Sequence, residues 1–254
     1  MKVALIQSSL YWENPKANRD HLGEKINAIS ENIDLIVLPE MFSTGFTMNP
    51  ETVFETMEGE TILWLQSLAK AKNSAITGSL VIKENNNFYN RLVFVFPSGE
   101  IQFYDKRHLF TLAGEDEIYT AGRNKLIIEY KGWKICPLIC YDLRFPVFSR
   151  NTENYDLLIY VANWPKVRIN AWDALLKARA IENMCYTIGV NRIGEDDNGF
   201  QYNGHSQVID FLGDYLLEPV EAKGVFIVEL NKAELLLARK KINFLNDQDA
   251  FVLK

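Results

Sequence analysis

An α/β fold is predicted for this chain, and three observations predict it. The first is the opening order: an apolar strand, VALIQ, a polar-apolar stretch over 14–29 with helical spacing, and the buried-strand run LIVLP. The second is an excess of strand-like over helix-like segments. The third is the tetrapeptide Pro97-Ser98-Gly99-Glu100 between RLVFVF and IQFY, which reads as a hairpin and departs from a simple parallel series. From these residues alone, α/β and α+β both stay open.

The remaining elements follow in order. A second helix is expected over 61–72, before the strand AITGSLVI. After the hairpin, strands are expected at KLIIEY, WKICPLIC, DLLIYVAN, YTIGVNR, HSQVID and GVFIVEL, with helices over 171–183 and 231–242. No repeat of 20–50 residues, low-complexity stretch or Pro/Ser-rich linker divides the chain, so 1–254 is expected to form one domain.

Composition narrows the function classes. Hydrophobic residues make up 48% and charged residues 24%, which fits a globular protein with a sizeable core. A net charge of -6 without a Lys/Arg-rich block argues against nucleic acid as a partner and suits a soluble cytoplasmic protein. No segment approaches the roughly 18 apolar residues of a membrane span, and the N-terminus has no small-residue cleavage pattern. Three cysteines, Cys136, Cys140 and Cys185, form no disulfide framework, and on one strand Cys136 and Cys140 would lie roughly 13 Å apart. Free thiols in a reducing compartment are expected.

Three residues stand where chemistry gathers. Cys140 ends the strand run WKICPLIC and precedes the polar, helix-compatible YDLRFP, a turn where backbone N–H groups favour an anion and lower a thiol pKa. Glu40 follows LIVLP, flanked by Pro39, Met41 and Phe42, so partial desolvation would suit it to general-base work. Lys106 lies in FYDKRHLF just past the hairpin, where an ammonium can stabilise an oxyanion. Taken singly, each has a plainer reading: a small buried thiol, a capping carboxylate, a solvated lysine. Together they supply nucleophile, base and oxyanion stabiliser for covalent acyl transfer.

LPEMFSTGF, YDKRHLF and ICYDLRFP resemble, in that order, the Glu, Lys and Cys signatures of the nitrilase-like carbon-nitrogen hydrolase superfamily. The resemblance runs on through VANWP, ARAIEN, GVNRIG and HSQVIDFLG, and it implies a four-layer α-β-β-α sandwich. It implies Glu40 as general base, Lys106 as stabiliser of the tetrahedral intermediate and Cys140 as nucleophile. Glu115 of AGEDEIYTAG matches a second family glutamate, with Glu117 as its rival, and the backbone N–H of Tyr141 would join Lys106 at the oxyanion. The longer matches, CYDLRFPVFSRN among them, are similar to bacterial omega-amidases. They imply hydrolysis of the ω-amide of a dicarboxylic 2-oxo acid, such as 2-oxoglutaramate or 2-oxosuccinamate.

Phe42, Phe46, Asn163 and Trp164 are candidates for the substrate pocket, with core packing or strand-ending turns as their alternative roles. Arg144 is a candidate cation for the distant substrate carboxylate; for it and for Arg179, structural pairing with acidic side chains is the competing role. No cofactor is implied. His21, His108 and His205 match no metal-binding spacing with the cysteines. Rival functions are another superfamily branch, nitrilase or N-carbamoyl amide hydrolase, and a catalytically silent binding protein on the same fold. The resemblance also implies a homodimer, with FVLK at the C-terminus and the region after Cys140 as candidate interface segments.

Overall fold

The computed structural model describes residues 1–253. Five strands, β1 (Lys2–Gln7), β2 (Leu35–Val37), β3 (Ala75–Glu84), β4 (Asn87–Val95) and β5 (Ile101–Asp105), enter the first sheet. Six more follow: β6 (Ile128–Tyr130), β7 (Trp133–Ile139), β8 (Leu157–Ala162), β9 (Tyr186–Asn191), and the short ribbon β10 (Ile193–Glu195) and β11 (Gln201–Asn203). The last are β12 (Ser206–Ile209), β13 (Tyr215–Val220) and β14 (Gly224–Glu229). One six-stranded sheet runs β14-β1-β2-β3-β4-β5 and the other β13-β12-β9-β8-β7-β6. Each has three parallel strands at its heart, β1-β2-β3 and β7-β8-β9, extended by antiparallel neighbours.

Alternation along β1 sets the layers. Val3 and Leu5 join an apolar cluster with the second sheet and with Trp172, Leu176 and Ala180 of the helix Ile169–Asn183. Ala4 and Ile6 face the other way, into a cluster with Leu22 and Ile26 of the helix Pro15–Asn27 and Ile62, Leu65 and Ala69 of the helix Glu60–Lys72. Helices, sheet, sheet and helix are therefore stacked in four layers, as the resemblance implies. The first helix starts where Asn14 accepts from Ala17 N at 3.0 Å with Pro15 in its first turn, and the second stops at a left-handed Asn73.

The hairpin at 97–100 joins β4 to β5, pairing Val95 with Ile101. The longer β3-β4 hairpin was not expected. Its turn is Asn85-Asn86 with φ of 48° and 64°, a left-handed pair that asparagine tolerates better than most side chains. KLIIEY yields only the three-residue β6, and β13 comes from YLLEPV, whose partly exposed residues and proline suit its place at the edge of the sheet. Among the described residues no helix is long and apolar enough to cross a membrane.

Candidate active site

Two sharp turns deliver the two ends of the site. The chain leaves β2 through Leu38, Pro39 and Glu40 and turns at Met41, whose φ is 41°. It leaves β7 directly into Cys140, φ 42°, at the head of a short 3-10 segment, Cys140–Arg144. Left-handed backbone costs roughly 1–2 kcal/mol for a residue with a side chain, so each turn needs local bonds to hold it. At the first, Ser79 of β3 accepts from Met41 N through its hydroxyl at 2.9 Å and from Phe42 N through its carbonyl at 3.0 Å. At the second, the buried Asp142 carboxylate accepts from Ile139 N at 3.0 Å, Tyr104 OH at 2.8 Å and His108 N at 3.0 Å. His108 Nδ1 lies 2.8 Å from the same carboxylate.

Lys106 follows β5, and its carbonyl accepts from Gly122 N at 2.9 Å. A Cβ on Gly122 would lie 2.0 Å from the Asp105 carbonyl oxygen, so only glycine lets this loop close behind the lysine. Lys106 Nζ is buried between two carboxylates, 2.9 Å from Glu40 Oε1 and 2.8 and 3.0 Å from the Glu115 oxygens. Glu115 opens the short helix Glu115–Ile118 and also accepts from Phe110 N at 2.6 Å. Glu117, the rival glutamate, is exposed.

Asn90 of β4 closes this cluster: its amide nitrogen lies 2.8 Å from Glu40 Oε1 and 3.2 Å from Glu115 Oε1. Glu40 Oε2 accepts from Asn163 N at 2.8 Å, and its backbone carbonyl accepts from Asn163 Nδ2 at 2.7 Å, which ties the β2 turn to the end of β8 across the two sheets. Asn90, Asp142, His108 and Tyr104 were not among the expected residues. The one signal for Asn90 was an amide within the strand-like FYNRLVF, a polar group that must find a partner if the strand is buried.

The charges are interdependent. Burial opposes the Lys106 ammonium, yet Glu115 and Glu40 outweigh it and hold its pKa above the ordinary lysine value. Burial raises Glu115, with Lys106 pulling the other way. Burial, and then the Glu40 carboxylate through its charge and as hydrogen-bond acceptor, pushes the Cys140 thiol well up, with Lys106 opposing. Burial and the neighbouring carboxylates thus disfavour the Cys140 thiolate, while the same carboxylates favour the Lys106 ammonium.

Cys140 and Lys106 reach a cavity of about 690 Å³ that is also lined by Phe46, Tyr141, Arg144, Asn163 and Trp164. Lys106 lies 5.2 Å from the Phe46 ring centre, and the Arg144 guanidinium 4.9 Å from the Trp164 ring. Arg144 has no ion pair or hydrogen-bond partner for its side chain among the described residues, whereas Arg179 is structural, donating to the Leu143 carbonyl at 2.6 Å and Glu182 at 3.0 Å. Phe42 corrects an expectation: it is fully buried in the cluster beneath the sheet, its ring 6.2 Å from that of Trp64, and does not line the cavity. Gly78 opposite makes that packing possible, because a Cβ there would meet Phe42 at 2.8 Å. The turn at Met41 swings Phe42 away from Glu40 toward the core.

The cysteines are all free thiols, with Cys136 and Cys185 in the core. His21 lies 2.9 Å from Ser8, His108 pairs with Asp142, and His205 lies between Asp173 and Glu221. Among the described residues no group of three or more His, Cys, Asp or Glu is arranged to hold a metal.

The chain is similar to known proteins over nearly its whole length. The carbon-nitrogen hydrolase family model matches residues 2–240. The chain is 42% identical to omega-amidase YafV of Yersinia enterocolitica, over all of this chain and 98% of that protein. It is 31% identical to 2-oxoglutaramate amidase of Bacillus subtilis, over 96% of each. A crystal structure of a superfamily protein from Xanthomonas campestris, with an arsenic adduct in its active site, superposes with a TM-score of 0.98 at 42% identity, covering 100% of this chain and 99% of that one. With its four-layer α-β-β-α fold and a match over nearly its whole length, the chain belongs to the carbon-nitrogen hydrolase family.

Proposed function

We propose that this protein hydrolyses the ω-amide of a dicarboxylic 2-oxo acid, 2-oxoglutaramate or 2-oxosuccinamate, to the acid and ammonia through a thioester on Cys140. The observation that carries this reading is one cavity holding Cys140 and Lys106 together with the Arg144 guanidinium, which has no ion-pair partner among the described residues. An amide at the thiol and a carboxylate at the arginine make a small dicarboxylate-derived amide the natural occupant. The omega-amidase and 2-oxoglutaramate amidase relatives support the same substrate class.

In this reading the Cys140 thiol attacks the amide carbon while its proton passes to Glu40. Charge moves from the carboxylate to the new oxyanion, which Lys106 and the backbone N–H of Tyr141 stabilise. Concerted transfer suits a thiol held well above its ordinary pKa, because a free thiolate beside Glu40 and Glu115 is disfavoured. Glu40 then gives the proton to the departing nitrogen, and ammonia leaves. It next takes a proton from the water that cleaves the thioester. Glu115 and Asn90 keep Lys106 and Glu40 in place, and Asn163, Trp164 and Phe46 shape the pocket.

The reading extends to one catalytic unit over 1–254, working as a homodimer in the cytoplasm. Exposed Phe251, Val252 and Leu253 support an interface role for the C-terminal segment, whose final Lys254 lies outside the described residues. Three free thiols support a reducing compartment. The test is kcat/KM across 2-oxoglutaramate, 2-oxosuccinamate, glutamine, asparagine, simple amides, nitriles and N-carbamoyl amino acids. Preference for the 2-oxo acid amides by at least about tenfold, roughly 1.4 kcal/mol of transition-state stabilisation, is expected. Preference for nitriles or carbamoyl compounds would reassign the substrate.

A further inference from the structure

Arg144 is not the sole guanidinium at the cavity. Arg168, in the 3-10 turn Lys166–Arg168 just before the helix Ile169–Asn183, lines it too. Its guanidinium lies 5.2 Å from the Phe110 ring, as that of Arg144 lies over Trp164. Neither side chain has an ion pair or hydrogen-bond partner among the described residues. The acids of the cavity are engaged elsewhere: Glu13 accepts from the Thr47 hydroxyl, and Asp196 accepts from Tyr202 OH at 2.8 Å and from the N–H groups of Asn198 and Phe200 at 3.0 Å. Among the described residues neither acid comes within ion-pair distance of Arg144 or Arg168, so both guanidinium edges are left to a ligand.

A guanidinium seated on an aromatic face keeps its edge donors free for acceptors in its plane. Two such groups present donors and positive charge only. The acid end of a 2-oxo acid carries acceptors only, a carboxylate and the adjacent carbonyl, with one negative charge. The same end of a 2-amino acid carries an ammonium, which two cations repel. Resting on the ω-amidase reading, we propose that Arg168 joins Arg144 in a two-guanidinium clamp that selects the 2-oxo acid amide over its 2-amino counterpart.

Arg168 also serves the fold, since its backbone carbonyl accepts from Trp164 Nε1 at 2.9 Å. That bond does not need the side chain, so the guanidinium can be tested by itself. The experiment compares wild type, Arg168→Gln and Arg168→Lys on 2-oxoglutaramate, glutamine and the neutral amide butyramide. Arg168→Gln is expected to raise KM for 2-oxoglutaramate at least about tenfold, the scale of one charge-assisted hydrogen bond, with a smaller change in kcat. The ratios of kcat/KM for 2-oxoglutaramate over glutamine and over butyramide should both fall, and Arg168→Lys should restore part of each. Unchanged ratios in Arg168→Gln, or an equal loss on all three substrates, would overturn the clamp. If wild type itself shows no preference for 2-oxoglutaramate over butyramide, the substrate reading falls and the clamp with it. If that preference is present but indifferent to Arg168, the clamp alone is wrong.

Discussion

The Asn90 amide lies 2.8 Å from Glu40 Oε1, joining the middle of β4 to the turn after β2 across 50 residues of chain. The same nitrogen also reaches Glu115, so one neutral donor spaces two buried carboxylates around a single ammonium. Removing it leaves the buried Glu40 carboxylate short of a donor. Asn90→Ala is expected to lower kcat by about 10- to 100-fold, the equivalent of a hydrogen bond to a charged group, with KM little changed. Near-wild-type kcat in steady-state assays would show that Lys106 positions Glu40 unaided.

Glu115 is the foremost charge raising the Lys106 pKa, and it also raises that of Cys140. Glu115→Gln should therefore lower both, moving the alkaline limb of the kcat/KM profile to lower pH. For stability the sign follows from Lys106 being raised on folding. The contribution of its ammonium is full below the unfolded lysine value, about 10.4, and is lost only as pH rises through the higher folded value. Loss of stability on titrating from neutral to mildly alkaline pH should not involve this group in wild type. An alkaline limb that stays in place in Glu115→Gln would contradict the assignment.

Asp142 gathers the donors that hold the Cys140 turn. Asp142→Asn replaces one accepting oxygen with an NH2 group that faces donors already in place, at a cost of about 1–3 kcal/mol for a buried mismatch. A lowered Tm and a lower kcat are expected together, because strand end and nucleophile move as one. A variant that loses stability but keeps wild-type kcat would separate the two.

The cysteines should differ in reactivity. Cys136 and Cys185 are fully buried in the core, whereas Cys140 opens on the cavity, so access rather than thiol acidity separates them. Iodoacetamide on the native protein is expected to add one group, at Cys140, and to abolish activity in proportion. Peptide mapping that finds Cys136 or Cys185 alkylated first would contradict the burial that separates them.

The strand ends were legible in the sequence because LIVLP and WKICPLIC stop abruptly at polar residues, and the pairing of Glu40 with Cys140 came from resemblance. Contacts made across the two sheets were not legible. Nothing local marks Asn163 as a donor to Glu40, or Asp142 as the acceptor for Tyr104, since partners 123 and 38 residues apart are set by packing. Phe42 was misplaced for a related reason: two residues from Glu40 in LPEMF it reads as a neighbour of the site, but the left-handed turn at Met41 sends its ring into the core. Arg168 was overlooked because an arginine in a turn reads as solvated until a cavity is found beside it.

The central claim is the covalent step, and rapid-quench intact-protein mass spectrometry during turnover of 2-oxoglutaramate tests it most directly. An acyl adduct should form and decay with the kinetics of turnover, map to Cys140, and vanish with activity in Cys140→Ala. Sustained turnover in Cys140→Ala, or an adduct on another residue, would contradict it.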